Sequence, residues 1–272
     1  MSAVRPRLIA TDLDLTLLRT DGEISARTRA ALNAARAAGI VVVPVTARQP
    51  IALREIAAGA GFEDWALCGN GAFGIHLRSG ELLFAQEIAA ETLRTLVDAL
   101  RESIPDLLFA SVRNRGDIFV AQHGYAELAE LADHRRDPRL MGGVSLEDVL
   151  AEPSLKLVVR HPEHAPALLY DAIRALGLTG FEVTLSGAPF VEVMAEGVTK
   201  ATGLARLCEH LHVDRADVVA FGDGLNDVEM LRWAGLGIAV ANAEPVVQDA
   251  ADEVTASNDD DGVAQVLERL FG

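Results

Sequence analysis

Residues 8–16 read LIATDLDLT, a buried-type strand that runs straight into two acids, Asp12 and Asp14. In open α/β sheets, ligands bind at the carboxyl ends of the strands, so we expect both carboxylates at the functional edge of such a sheet. A desolvated pair of acids is costly unless a cation compensates it. The segment therefore predicts a cation-binding or catalytic site, and a solvated turn at the end of a strand is the alternative.

A second strand with acids behind it follows late in the chain, where residues 218–227 read VVAFGDGLND. Gly222 and Gly224 allow a sharp turn beside a ligand. Asp223, Asn226 and Asp227 offer the oxygen ligands that Mg²⁺ prefers. A Gly-Asp turn with Asn226 as a helix cap is the alternative, and it accounts for Asn226 better than for the two acids.

Two further segments would suit a phosphate group. The apolar run 41–45 leads into Thr46 and Ala47, which places a hydroxyl and backbone N–H groups at a strand end just before a helix. Lys200 opens another helix, and it is one of two lysines in a chain whose other 22 basic residues are arginine. This usage favours Lys200 as a compact point charge. A Thr cap and a surface Lys are the ordinary alternatives.

Composition excludes several classes of protein. Half of the 272 residues are hydrophobic and 24% are charged, which permits a sizeable core and excludes a disordered chain. The net charge of -16 argues against a nucleic-acid or anionic-membrane surface. No apolar run approaches the roughly 18 residues of a membrane helix. Two distant cysteines indicate a reducing compartment, so we expect a cytoplasmic protein.

The two ends of the chain have the pattern of a parallel sheet covered on both faces. Short apolar runs at 8–10, 40–45, 66–68, 218–221 and 238–240 alternate with helical stretches such as 25–38, where Ser25 can cap the start and Gly39 can end the helix. Buried strands that alternate with helices are typical of α/β proteins. We predict an α/β fold with a doubly wound parallel-sheet core.

The middle of the chain has a different pattern, with strands in pairs. Runs at 107–113 and 117–123 flank an Asn-Arg-Gly turn, and runs at 181–186 and 190–194 flank Gly-Ala-Pro. Helical segments near 90–103, 124–133 and 163–177 separate them. The pattern predicts an inserted α+β domain at residues 85–190, with residues 1–84 and 191–272 forming the core domain.

Taken together, these motifs resemble the four motifs of the haloacid dehalogenase superfamily: D-x-D-x-T at 12–16, a strand ending in Thr46, Lys200, and G-D-G-x-N-D at 222–227. The chain also resembles the Cof-like phosphatases of this superfamily, subclass IIB, which carry an α/β cap of the second type. The shared features are the late Lys, the large insertion and the segment 70–72. The resemblance covers the whole chain and implies a Rossmann-like core with an inserted cap domain.

The resemblance also implies roles for individual residues. Asp12 would be the nucleophile that forms an aspartyl-phosphate, and Asp14 the general acid and then the base. Mg²⁺ would be held by the side chains of Asp12 and Asp223 and by the backbone carbonyl of Asp14. The groups implied to hold the phosphate are Lys200, Thr46, Asn226 and the N–H groups of Leu13 and Ala47. Asp227 is expected to orient Lys200 or a metal-bound water.

The chain departs from the family pattern at two positions. Leu15 and Ala47 stand where glycine is usual, which puts the shape of two loops in question rather than the chemistry. Asp14 matters more, since its presence resembles the phosphatase and phosphomutase branch. Polar candidates for contacts to the leaving group lie in the insertion: Arg113, Arg115, His123, Lys156 and Arg160.

The expected function is a Mg²⁺-dependent phosphatase that hydrolyses a small phosphomonoester, such as a sugar phosphate or a phosphorylated cofactor intermediate. Its partner is then a small phosphorylated substrate, with no nucleic acid and no membrane. Two alternatives stay open. One is a phosphohexomutase of the same superfamily, and the other is a module that binds Mg²⁺ or a phosphorylated metabolite without turnover.

Overall fold

The computed structural model describes residues 6–134 and 136–271. In chain order its strands are β1 (Leu8–Thr11), β2 (Val41–Pro44), β3 (Trp65–Cys68), β4 (Phe73–His76), β5 (Leu82–Ala85), β6 (Leu108–Arg113), β7 (Ile118–Ala121), β8 (Lys156–Arg160), β9 (Phe181–Thr184), β10 (Val191–Ala195), β11 (Val218–Gly222), β12 (Leu236–Ala239) and β13 (Glu253–Val254). Its α-helices are α1 (Ala26–Ala37), α2 (Pro50–Ala60), α3 (Ala90–Ser103), α4 (Tyr125–Leu128), α5 (Leu131–His134), α6 (Leu146–Val149), α7 (Pro166–Ala175), α8 (Lys200–Leu211), α9 (Val228–Trp233), α10 (Pro245–Gln248) and α11 (Gly262–Phe271).

These elements form two compact units. The first unit comprises residues 1–47, 53–84 and 199–272, and the second comprises residues 48–52 and 85–198. Each unit has its own main sheet, and the first also contains a small sheet in the order β3-β4-β5.

The main sheet of the first unit is parallel, with the strand order β13-β12-β11-β1-β2. Strand β1 pairs with β11 on one side and with β2 on the other, with Ile9 opposite both Val219 and Val42. Every residue of β1 and of β11 is buried, as expected for strands with both faces covered. The predicted α/β fold with a parallel central sheet is confirmed.

Local signals at the first helix have the predicted geometry. The Ser25 hydroxyl accepts a hydrogen bond from the N–H of Thr28 at 2.9 Å, which caps α1. Gly39 follows the end of the helix with a φ of +81°, a conformation that glycine adopts without a side-chain penalty.

The second unit is built on an antiparallel sheet with the strand order β7-β6-β8-β10-β9. Strand β10 lies between β8 and β9, with Val193 opposite Leu157 and Val183. The sequence-based boundary at residue 190 assigned this strand to the core domain, whereas the compact second unit extends to residue 198. Its continuous burial resembles that of a parallel core strand, but pairing with both neighbours fixes it in the antiparallel sheet.

Several polar candidates in the second unit are engaged by partners within that unit. The Arg113 guanidinium donates to the carbonyls of Asp148 and Val149, both at 2.8 Å. Lys156 forms a buried ion pair with Glu192, and Arg160 donates to Asp133 at 2.6 Å. These contacts support the packing of the unit itself.

The helix expected over 124–133 is divided into α4 and α5. Extended backbone at Ala129 ends α4. The carboxylate of Asp133 accepts a hydrogen bond from the N–H of Glu130 at 2.9 Å, which starts a new turn. Separately, none of the helices in the described ranges combines the length and apolar character that a membrane span requires.

Candidate active site

The first acid of the site follows β1 directly. Asp12 begins the loop after Thr11, and its N–H donates to the carbonyl of Phe221 on the neighbouring strand β11 at 3.0 Å. Because β1 and β11 are parallel and in register, the loops that follow them leave the sheet side by side. This pairing brings Asp12 and Asp223 to one edge of the sheet.

Lys200 provides the positive charge of the site. Thr199 caps the start of α8, and the Lys200 Nζ atom lies 2.6 Å from a carboxylate oxygen of Asp12 and 2.6 Å from one of Asp227. Its side chain is 1% exposed. Burial alone would lower the pKa of Lys200, but the attraction of the two carboxylates outweighs it and raises this pKa above its usual range. Lys200 is therefore cationic at neutral pH.

Asp227 is held by the backbone as well as by Lys200. Its second carboxylate oxygen accepts hydrogen bonds from the N–H groups of Asp223 and Gly224, at 3.1 and 3.0 Å. A Cβ atom on Gly222 would lie 2.4 Å from the Cβ of Asp227, so glycine is required where this side chain turns back on β11. Asp227 thus orients Lys200 and shapes the loop that carries Asp223.

The site holds more negative than positive charge. Burial raises the pKa of Asp12 well above its ordinary value; Lys200 opposes this shift, while Asp227, Asp223 and Asp14 add to it. Burial also raises the pKa of Asp223 to about 6, although a hydrogen bond from the Thr16 hydroxyl at 2.6 Å acts in the other direction. Such a surplus of partly desolvated acids favours binding of a cation.

One carboxylate oxygen from each of Asp12, Asp223 and Asp227 lies within 4.8 Å of the other two. This acidic cluster contains two of the predicted metal ligands, Asp12 and Asp223. Because both oxygens of Asp227 already accept hydrogen bonds, we regard Asp12 and Asp223 as the side chains better placed to hold an ion. The Asp14 side chain is exposed, and the prediction for this residue concerns its backbone carbonyl.

The remaining predicted residues all lie in the first unit. Leu13 and Thr46 are buried, and Ala47 and Asn226 are half-buried. The N–H of Thr46 donates to the carbonyl of Leu67 at 2.9 Å, which fixes the loop after β2. Direct side-chain contacts join Lys200 to Asp12 and Asp227. The roles of Leu13, Thr46, Ala47 and Asn226 as phosphate ligands stay predictions.

Asn70 is a site residue to which sequence reasoning gave no role. Its N–H donates to the carbonyl of Thr46 at 3.0 Å, and its side-chain oxygen accepts from the Asn226 amide at 3.0 Å. Asn70 is buried in a left-handed conformation with a φ of +57°. It therefore links the loop after β2 to the loop after β11. A polar residue between two glycines, directly after the buried strand β3, was the available signal.

The neighbouring Gly71 brings this turn against the start of α8. A Cβ atom on Gly71 would lie 2.3 Å from the carbonyl oxygen of Thr199, the residue before Lys200. Its φ of +90° is also one that side-chain-bearing residues rarely adopt. The close approach of the two backbones helps to set the position from which Lys200 enters the site.

Comparison with known proteins agrees with this site. A family model described as haloacid dehalogenase-like hydrolase matches residues 9–267. The chain therefore belongs to the haloacid dehalogenase-like hydrolases, and the superfamily resemblance inferred from its motifs is confirmed. The prediction of a hydrolase of phosphate monoesters is confirmed with it.

Particular relatives are named phosphatases. The chain is 30% identical over 262 residues to the 5-amino-6-(5-phospho-D-ribitylamino)uracil phosphatase YcsE of Bacillus subtilis, covering 96% of this chain and 94% of the relative. It is 28% identical over 250 residues to the HMP-PP phosphatase of Cronobacter sakazakii, covering 88% and 85%. The solved structure of BT1666 from Bacteroides thetaiotaomicron, described among phosphatases of the superfamily, superposes with a TM-score of 0.83 at 26% identity, covering 99% of this chain and 96% of that one.

Proposed function

We propose that this chain is a Mg²⁺-dependent phosphatase that hydrolyses a small-metabolite phosphomonoester through an aspartyl-phosphate on Asp12. The observation that carries the proposal is the contact of Lys200 with Asp12 at 2.6 Å, beside a second acid, Asp223, on the adjacent strand loop. A carboxylate that attacks a phosphate dianion needs positive charge on both sides of the reacting group. Lys200 supplies one such charge, and the acidic cluster is suited to recruit another.

The donor set fits Mg²⁺. Asp12 and Asp223 offer carboxylate oxygens as ligands, and burial raises the pKa values of both. A divalent ion bound to them would stabilise the ionised carboxylates. These two side chains and the carbonyl of Asp14 would hold the ion. When bound, Mg²⁺ would neutralise charge on the phosphate oxygens and polarise the phosphorus for attack.

In the first step the Asp12 carboxylate attacks phosphorus, and the bond from phosphorus to the leaving-group oxygen breaks. The Asp14 carboxylic acid gives its proton to that oxygen, so a neutral alcohol departs. Lys200, Thr46, Asn226 and the N–H groups of Leu13 and Ala47 are proposed to hold the non-bridging oxygens. Each is a donor at or beside the acid-bearing edge of the sheet.

In the second step Asp14, now a carboxylate, takes a proton from water, and the resulting hydroxide attacks the phosphorus of the aspartyl-phosphate. The bond between phosphorus and the Asp12 oxygen breaks, which releases inorganic phosphate and restores the free carboxylate. Asp14 then carries the proton that it needs for the next turnover.

The substrate class proposed is a small phosphorylated metabolite, either a sugar phosphate or a phosphorylated cofactor intermediate. The support is the chain's similarity over nearly its full length to phosphatases whose names give small phosphorylated compounds. The assignment of the second unit as a cap domain belongs to the same proposal.

The test is hydrolysis of p-nitrophenyl phosphate by purified protein, with Mg²⁺ and with EDTA, followed by profiling of metabolite phosphates. We expect turnover that requires Mg²⁺ and is lost in Asp12→Asn, while the exposed Asp171→Asn serves as a control for loss of one acidic charge. Turnover in EDTA, or full activity of Asp12→Asn, contradicts the proposal. Isomerised sugar phosphate without phosphate release identifies a mutase, and thermal stabilisation by metabolites without turnover identifies a binding module.

A further inference from the structure

The turn that carries Asp14 has an unusual backbone. Leu15, the next residue, has a φ of +60° and a ψ of 6°. This left-handed conformation is disfavoured for residues with a Cβ atom and is usually occupied by glycine or asparagine. Leucine holds it here only if neighbouring groups stabilise the turn from outside.

Two asparagine side chains bind the carbonyls of this turn. The Asn242 amide nitrogen donates to the carbonyl of Leu15 at 2.8 Å. The Asn258 amide nitrogen donates to the carbonyl of Leu18 at 3.0 Å. Both asparagines belong to the first unit and lie in the loops that follow β12 and β13. These loops leave the parallel sheet at the same edge as Asp12.

The orientation of the Asn242 amide is fixed by a second hydrogen bond. Its side-chain oxygen accepts from the backbone N–H of Asn258 at 2.9 Å, which leaves the NH₂ group to face Leu15. One asparagine thus aligns the other, and the pair forms a clamp on the turn. We use the term asparagine clamp for Asn242 and Asn258.

A further contact of the turn is with Asp223 of the acidic cluster. Thr16, directly after Leu15, donates its hydroxyl hydrogen to Asp223 at 2.6 Å. Asp14 therefore lies between Asp12, which is fixed by Lys200, and a Leu15–Thr16 peptide held by the clamp and by Asp223. With the backbone fixed on both sides, the direction in which the Asp14 side chain leaves it is also fixed.

We propose that Asn242 is a positioning residue for acid-base catalysis: it holds Leu15 in the left-handed conformation and thereby aims the Asp14 carboxyl at the leaving-group oxygen. This inference rests on the function proposed above, in which Asp14 transfers that proton. Asn242 itself is exposed, so its side chain contributes little buried surface to the core. We therefore expect Asn242→Ala to lower kcat/KM while it changes the free energy of unfolding little.

The experiment compares two substrates whose leaving groups differ in their need for a proton. Glucose 6-phosphate releases a poor leaving alkoxide that requires a general acid, whereas 2,4-dinitrophenyl phosphate releases a stable phenolate that does not. The measured quantity is kcat/KM, which reports steps up to departure of the leaving group. For Asn242→Ala we expect a loss of about tenfold with glucose 6-phosphate, the worth of one hydrogen bond, and a loss of less than about threefold with the dinitrophenyl ester.

Further variants separate positioning from general support of the loop. Asn242→Asp keeps the acceptor for Asn258 but sets an oxygen against the Leu15 carbonyl, so it should be at least as damaging as Asn242→Ala. Leu15→Gly removes the conformational penalty, so it should restore part of the lost activity when combined with Asn242→Ala. Gln248→Ala is the matched control. It removes hydrogen bonds to the carbonyls of Ala241 and Ala243 in the same loop without touching the turn, and it should leave both substrates unaffected.

Several results would overturn the inference. Equal losses with both substrates, an equal effect of Gln248→Ala, or no restoration by Leu15→Gly would make Asn242 a general structural residue. Full activity of Asn242→Ala would exclude any role of Asn242 in catalysis. Absence of Mg²⁺-dependent turnover in the wild-type protein would instead refute the proposed function, and the positioning role with it.

Discussion

Replacing Asp223 by asparagine should make the metal-free protein more stable. The carboxylate is partly buried beside two other acids, and its pKa is raised to about 6, first by burial and then by the charge of Asp227. Asparagine retains the oxygen that accepts the Thr16 hydrogen bond. The substitution therefore removes the unfavourable charge while it keeps the Thr16 hydrogen bond, which is the largest of the influences that favour the ionised form.

The magnitude follows from the shift in pKa. A rise from 3.8 to about 6 corresponds to about 3 kcal/mol of unfavourable free energy for the ionised form, at about 1.36 kcal/mol per unit. Solvent reaches part of the side chain, so we take this figure as an upper bound and expect a gain of about 1 to 3 kcal/mol. For a chain of this length that gain raises the thermal midpoint by about 2 to 6 °C.

The dependence on pH has a definite direction. Between pH 3.8 and about 6 Asp223 keeps in the folded protein the proton that it has lost in the unfolded chain, so the contribution of Asp223 to wild-type stability falls as pH rises through this window. The advantage of Asp223→Asn should be absent at pH 3.5, grow from pH 4 to pH 6, and be complete at pH 7.5. Asp171→Asn, at an exposed helix position, should change the midpoint little at any pH.

The assay is thermal unfolding in EDTA over this pH range, repeated at pH 7.5 with Mg²⁺. Magnesium should raise the midpoint of the wild-type protein and raise that of Asp223→Asn much less, because the variant lacks one of the two proposed side-chain ligands. A variant that is no more stable than wild type at pH 7.5 in EDTA, or one whose advantage is the same at pH 3.5, would refute the electrostatic reasoning. An equal response of both proteins to Mg²⁺ would refute the assignment of Asp223 as a ligand.

Three further predictions concern stability. Lys200→Met leaves two buried carboxylates without their cation and should lower the free energy of unfolding by about 3 to 5 kcal/mol in urea, so an unchanged urea midpoint would contradict the ion-pair assignment. Gly71→Ala should cost at least about 2 kcal/mol because the new methyl group meets backbone, whereas the control Gly80→Ala, with open space around a φ of +73°, should cost about 1 kcal/mol. His134 is buried with a pKa lowered to about 3, so it is neutral when folded, and its own contribution to the wild-type free energy of unfolding should fall by about 2 kcal/mol between pH 7 and pH 5, opposite in sign to that of Asp223, as the unfolded chain takes up a proton. His134→Gln should reduce that pH dependence, and equal slopes for the two proteins would exclude this histidine as its source.

The predicted elements that the structure confirms have local causes. The run before Asp12 is a strand because consecutive apolar residues suit a sheet covered on both faces, and Ser25 starts a helix because its hydroxyl satisfies a free N–H. Acids placed directly after such strands reach the carboxyl edge of the sheet. No partner beyond the neighbouring segment is needed for these conclusions.

Other features depended on pairing between distant segments. The hairpin of β9 and β10 was visible in the sequence, but the domain boundary at residue 190 divided it, and the register of β10 with the distant strand β8 assigns β10 to the second unit. The division between helices α4 and α5 has a local cause instead: extended backbone at Ala129 ends α4, and Asp133 accepts a hydrogen bond from the N–H of Glu130 at the start of α5. The sequence pattern favoured a single helix there, and a local hydrogen bond from side chain to backbone competed with it.

The sequence by itself identified the acids and the lysine of the candidate site and placed the acids directly after buried strands, because strand burial and acid placement are properties of short segments. Only the tertiary structure shows which of the acids contact Lys200. Lys200 lies 188 residues from Asp12 in sequence yet 2.6 Å away in space, and its second partner is Asp227, which leaves Asp223 as the less committed carboxylate. The asparagine clamp likewise joins two loop residues, the exposed Asn242 and the buried Asn258, to a turn more than 220 positions earlier. Hydrogen bonds across such separations produce no pattern in the sequence. Each one depends on which strands are neighbours in the sheet and not on the residues adjacent in the chain.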